Sequence, residues 1–142
     1  MAFSVKLDLT SLARSSRGAI TGVLFLEVDG FGYPELGWND FPVIILAWWA
    51  RAVRDLRASG VGAEAVCRFM DGPFSFSLRA LSYGEWEVRL LGKNGELLRT
   101  AKTTPGEVVR AIQVAAAAVL QACAERGWGS RETEELQAAI RS

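Results

Sequence analysis

The chain has no histidine, and only two cysteines, two methionines and four prolines in 142 residues. Without an imidazole it cannot run Ser-His-Asp or Cys-His catalysis, and it loses the commonest transition-metal ligand. Cys67 and Cys123 are far apart and outside any Cys-x-x-Cys pair, so they read as buried, reduced thiols and not as a zinc or redox site. Neither sign of charge is in excess: sixteen basic residues balance sixteen acidic ones. That removes the positive field of a domain that binds phosphate backbones, and nucleic acid is not an expected partner. The longest apolar run, FPVIILAWWA at positions 41–50, is well short of the roughly 20 residues of a membrane span and reads as a buried helix. The opening MAFSVKLDLT lacks the apolar core of a signal peptide, so a cytoplasmic protein without a membrane partner is expected.

Phosphate-binding loops are missing too. Gly30-Phe31-Gly32 and Gly60-Val61-Gly62 each begin a dinucleotide fingerprint, but Glu35 and Ala65 stand where the third glycine belongs, so both read as turns. No GxxxxGK[ST] motif and no calcium-loop ladder of acids occurs. A glycosidase-like pair among Asp29, Glu35, Asp40, Asp71, Glu85 and Glu87 is conceivable, because such catalysis depends on spatial separation alone. Solvated surface acids are the plainer reading. The expectation is a protein with no catalytic residues, no metal and no cofactor.

The periodicities that are present describe one α+β domain over 1–142, a length that buries roughly 70% of the unfolded chain's surface. Phe3, Val5, Leu7 and Leu9 alternate with polar residues as a strand, and a polar turn, ARSSRG, follows. Residues 20–28 (ITGVLFLEV) are apolar on both faces, the pattern of a central strand covered on each side. Asn39 or Asp40 is placed to cap a helix with Pro42 in its first turn that stops at Gly60. Its inward face is Ile45, Trp48, Trp49, Ala52, Val53 and Leu56, with Arg51, Arg54 and Arg57 on the wet side.

Residues 64–70 and 74–80 read as strands around Asp71-Gly72-Pro73, and WEVRLL and ELLRTAK as a hairpin around Asn94-Gly95. Thr104-Pro105-Gly106-Glu107 has capping-box spacing and starts a long helix, which Gly127-Trp128-Gly129 breaks before a last helix capped by Ser130. The expected architecture is a single, mainly antiparallel sheet of about six strands in the order ββαββββαα, packed by one central and one long C-terminal helix.

Positions 29–40 are the segment that periodicity does not absorb. Phe31, Tyr33 and Trp38 alternate there with Asp29, Glu35 and Asp40 in a glycine-broken loop. Such a loop either plugs the end of the sheet or is an anchor surface, with aromatics for rigid contact area and acids to complement a basic partner. The second reading makes these six residues the expected partner-binding site, with Asp71, Glu85 and Glu87 as additions.

The order of landmarks GWNDFPVIILAWWARAV, CRFMDGPFSFSLR, WEVRLL and CAERGWGS before TEELQAAI resembles small bacterial proteins similar to polymorphic-toxin immunity proteins. The likeness covers about positions 36–140, carried most by Trp38-Asn39-Asp40 and by Phe69-Met70-Asp71-Gly72-Pro73. It implies a cytoplasmic, non-catalytic protein that binds and neutralises the toxin domain of a cognate secreted effector, and it transfers no binding residues. Two alternatives follow from the residues. An intracellular chaperone or adaptor for a secreted effector would expose apolar grooves. A small-ligand-binding domain would have a cavity lined by Trp48 or Trp49.

Overall fold

The computed structural model describes residues 3–141. β1 (Phe3–Arg14) and β2 (Ile20–Val28) form an antiparallel pair around a turn closed by the Ser15 amide donating to Ala19 O at 2.8 Å. β1 runs beyond its alternating segment through an irregularity between Asp8 and Ala13. There Ser11 Oγ accepts from the Val23 amide at 2.8 Å and donates to Asp8 O at 2.6 Å, so a side chain bridges the interrupted ladder.

After β2 the chain stays with the sheet. Asp29 and Gly30 both have positive φ, 49° and 83°, the requirement of a two-residue type I′ turn. That turn sends the chain back as β3 (Phe31–Tyr33), with Phe31 opposite Val28 and Tyr33 opposite Leu26. β4 (Asn39–Asp40) then pairs farther along the same edge of β2, Asn39 opposite Val23. A separate antiparallel meander holds β5 (Glu64–Arg68), β6 (Ser75–Ala80), β7 (Trp86–Leu91) and β8 (Leu97–Thr103) in that order.

The expected single six-stranded sheet is therefore two four-stranded antiparallel sheets. β2 has β1 on one edge and its own following loop on the other, so no free edge remains for the meander to join. Only one face of β2 is fully buried, through Ile20, Gly22, Leu24, Leu26 and Val28; Val23 and Phe25 on the other face are half-buried, which corrects the reading of a strand covered on both sides.

Two of the three helices start from the side-chain caps that the sequence signals. α1 (Pro42–Ala58) has proline at its first position, but its N-cap residue is Phe41 and no side chain caps it. The expected cap from Asn39 or Asp40 does not form, because β4 takes up both residues and the Asp40 carboxylate is engaged elsewhere. α2 (Pro105–Glu125) is capped as expected, Thr104 Oγ1 accepting from the Glu107 amide at 3.2 Å, while Glu107 accepts from Thr103 Oγ1 at 2.6 Å. At its end the Trp128 amide donates to Cys123 O and the Gly127 amide to Ala124 O, the paired bonds of a Schellman turn. α3 (Arg131–Arg141) starts from a reciprocal Ser130–Thr133 pair, each amide bonded to the other's hydroxyl.

By length and composition α2 is apolar enough to cross a bilayer. Here its stripe of Val108, Ile112, Ala115, Val119 and Cys123 is buried, and the helix packs on β1, α1 and α3.

One hydrophobic cluster runs through both sheets and all three helices. Its aromatic centre joins the sheets. Tyr33 lies edge-on to Phe69 and Phe74, Trp49 edge-on to Phe69 and Phe76 at 5.1 and 5.0 Å, and Phe3 is 6.1 Å from Phe76. Of the two adjacent tryptophans, Trp49 is fully buried and Trp48 is exposed, which corrects the reading that put both on the inward face: their side chains point about 100° apart and the core takes only the direction of Trp49. The outer face of the meander has a row of alternating charge, one residue per strand: Glu64, Arg79, Glu87 and Lys102 are successive partners in register.

The fully buried Tyr33 ties the first sheet to the second. Its hydroxyl donates to Ser75 O at 2.6 Å and shares the proton with Leu91 O. Tyr33→Phe should cost about 1–2 kcal/mol through the two stranded carbonyls, and Tyr33→Ala about 3–5 kcal/mol through the cavity. Urea unfolding measures both, and an alanine variant as stable as the parent would remove Tyr33 from the core.

Candidate functional site

The nine residues expected to meet a partner divide by burial. Tyr33 and Asp40 are fully buried, at 0% and 1% relative exposure, so neither can offer contact surface, and the reading that placed them in an exposed anchor loop is corrected. Phe31 and Trp38 are half-buried; Asp29, Glu35 and Asp71 are exposed; Glu85 and Glu87 are partly exposed. Much of the segment behaves as the plug of the alternative reading.

Asp40 organises the region. Its carboxylate accepts from Trp38 Nε1 at 2.9 Å, from its neighbour Phe41 N at 2.8 Å, from Met70 N at 3.2 Å and from Asp71 N at 3.2 Å. Two of these donors come from the β5–β6 turn, thirty residues away along the chain. A carboxylate accepting several N–H bonds makes the strong, charge-assisted kind. Trp38 completes the junction by lying edge-on to Phe74 at 5.3 Å and against Gly72, with its own amide bonded to Glu35 O at 3.2 Å.

Around this anchor the surface is acidic and apolar together. Leu36 is 71% exposed, its side chain lying over Gly32, where a Cβ would come within 2.5 Å of Cδ2. Met70 is 38% exposed beside Asp71, and Glu35 precedes Leu36. At the far end of β3, Phe31 lies under the Arg99 guanidinium, 4.4 Å from the ring centroid, and Asp29 forms the I′ turn. The structure thus brings Glu35, Trp38 and Asp71 together around Asp40.

Glu85 and Glu87 are towards the opposite end of β7 from the Tyr33–Leu91 contact, roughly 20 Å and about 13 Å along an extended strand. Glu85 is within 4.0 Å of Lys102 Nζ, and Glu87 belongs to the charged row on the meander. Leu36 carries no signal as a single apolar residue in a loop, and Met70 is hidden by the reading of 64–70 as a strand, whereas β5 ends at Arg68 and leaves Met70 in the turn. The Asp29-Gly30 dipeptide was a readable hairpin signal, and reading it would have assigned Asp29 a backbone role.

Among the described residues, no three histidine, cysteine, aspartate or glutamate side chains converge as a metal-binding group. Trp49 packs within the aromatic centre with Nε1 donating to Arg68 O at 2.8 Å, so it belongs to the core and not to the lining of a cavity. Both cysteines are buried free thiols. Burial pushes the Cys67 thiol up to about 12 and raises that of Cys123, while the Tyr33 phenol is also pushed up to about 12 by burial. A thiol held protonated and out of solvent is a poor nucleophile.

Asp40→Ala should lose about 3 kcal/mol or more, because several donors are stranded at once, and Asp40→Asn should recover only part of it; denaturant midpoints decide, and a loss under about 1 kcal/mol would contradict the anchor role. Native protein should resist a thiol reagent at neutral pH, whereas denatured protein exposes both cysteines. The native Cys67 thiol keeps its proton up to about 12, against 9.0 for an ordinary thiol. Its contribution to stability is therefore complete below about pH 9 and falls as pH rises towards 12. Cys67→Ala should flatten that alkaline decline in urea midpoints.

The chain was compared with models of protein families, with curated proteins and with solved structures, and none of the three comparisons gave a match.

Proposed function

We propose that the chain is a non-catalytic cytoplasmic immunity protein, which binds the toxin domain of a cognate secreted effector through the acidic and apolar surface around Asp40. The observation that carries this reading is the Asp40 carboxylate, which ties the loop before α1 to the β5–β6 turn. Segments held in this way carry the exposed Leu36 next to Glu35 and the exposed Met70 next to Asp71, with little backbone entropy left to lose on binding. Exposed apolar residues with acidic neighbours suit a basic partner, such as the substrate cleft of a nuclease-like toxin. The buried, protonated thiols and the lack of histidine support binding over catalysis.

Affinity capture at native expression with mass spectrometry tests the reading. It expects one stoichiometric partner that carries a C-terminal toxin domain. Glu35→Lys with Asp71→Lys should then weaken the complex at least about tenfold while the melting temperature changes little, because both side chains are exposed. Capture of several unrelated secreted proteins, or unchanged binding by the double variant, would overturn it.

A further inference from the structure

A second surface is at the other end of α1, about 25 Å along its seventeen residues from Asp40. There α1, α2 and α3 enclose a groove of about 320 Å³. Its floor is aliphatic: Ala50, Val53, Val109, Ile112, Ala139 and Ile140. Two guanidinium groups, Arg54 and Arg57, stand on its α1 side, with Ala58 and Gln113 completing the rim. Arg54 is 3.7 Å from Asp55. Among the described residues, Arg57 has no carboxylate within ion-pair distance.

We infer that this groove binds a single-chain aliphatic carboxylate, with its alkyl tail on the helix floor and its head group on Arg57. Three observations select that occupant. The volume is at the lower end of small-molecule sites. The floor offers methyl and methylene groups with almost no polar side chain, so the buried part of the ligand is a hydrocarbon whose transfer from water drives binding. Arg57 stands at the edge of that floor with no carboxylate of the described residues within ion-pair distance, and a planar guanidinium matches a carboxylate with two parallel hydrogen bonds. The inference is independent of the toxin-binding reading, because it uses none of the residues around Asp40.

The test is titration of decanoate, below its micelle concentration, into ¹⁵N-labelled protein, with decanol as the uncharged control. Saturable one-to-one binding is expected, with shifts confined to the facing stretches of the three helices. Arg57→Gln should weaken decanoate at least about tenfold, the loss of a charge-assisted pair, and leave decanol unchanged. Ala58→Trp should block the mouth. Both substitutions are at exposed positions, and the melting temperature checks that each variant folds. No saturable binding of decanoate would overturn the inference, as would decanol binding equally well with no effect of Arg57→Gln. A concentration-dependent dimer that Ala58→Trp disperses would also overturn it, by giving the groove to a second copy of the chain.

Discussion

A single buried carboxylate holds together the parts of this protein that the chain order keeps apart. Asp40 ends β4, adjoins the start of α1 and accepts hydrogen bonds from the turn between β5 and β6. A charge out of water is tolerated only when donors surround it, and here four backbone or indole N–H groups do so. The cost of burying it is offset by bonds that exist in only one arrangement of loop, helix and turn. That arrangement also explains why α1 starts without a side-chain cap: the nearest suitable oxygen serves a longer-range purpose.

The aromatic centre extends the same logic into the apolar core. Two sheets that share no hydrogen-bonded edge need another kind of joint, and Tyr33 supplies it. Its ring lies among Phe69 and Phe74, and its hydroxyl reaches two carbonyls of the meander. Asp40 and Tyr33 therefore act at neighbouring points of one seam, one through charge and the other through packing.

Local signals were legible in the sequence wherever the chemistry of one turn decides the outcome. The Asn94-Gly95 hairpin, the Thr104 N-cap and the break at Gly127 all form, since each is determined within a few residues, although Glu107 closes its side of the cap on the Thr103 hydroxyl and not on the Thr104 amide. The partition into two sheets was not legible. It depends on the segment 31–40 returning to the edge of β2 in two very short strands, and strands of two or three residues carry no periodicity. Tyr33 and Asp40 were singled out for the right oddity and given the wrong side of the surface. An aromatic or an acid in a loop looks alike whether its partner is solvent, another protein, or a turn thirty residues away. Leu36 and Met70 are visible as exposed residues only once those inward partners are known.

The charged row on the outer face of the meander bears on how the four strands find each other. Inside-outside alternation forbids a slip of one residue, because every buried side chain would turn to water. A slip of two residues preserves that alternation, so hydrophobicity alone cannot reject it. Arg79 now faces Glu87, and Glu87 faces Lys102, while Arg89 lies one pair away on the same face. In one direction, a two-residue slip between β6 and β7 would set Arg79 opposite Arg89, and between β7 and β8 would set Arg89 opposite Lys102. Like charges directly opposite are destabilising, so the order of signs along the strands rejects a slip in that direction; the reverse slip would set Arg79 opposite Glu85, and there the turns and not the charges fix the register.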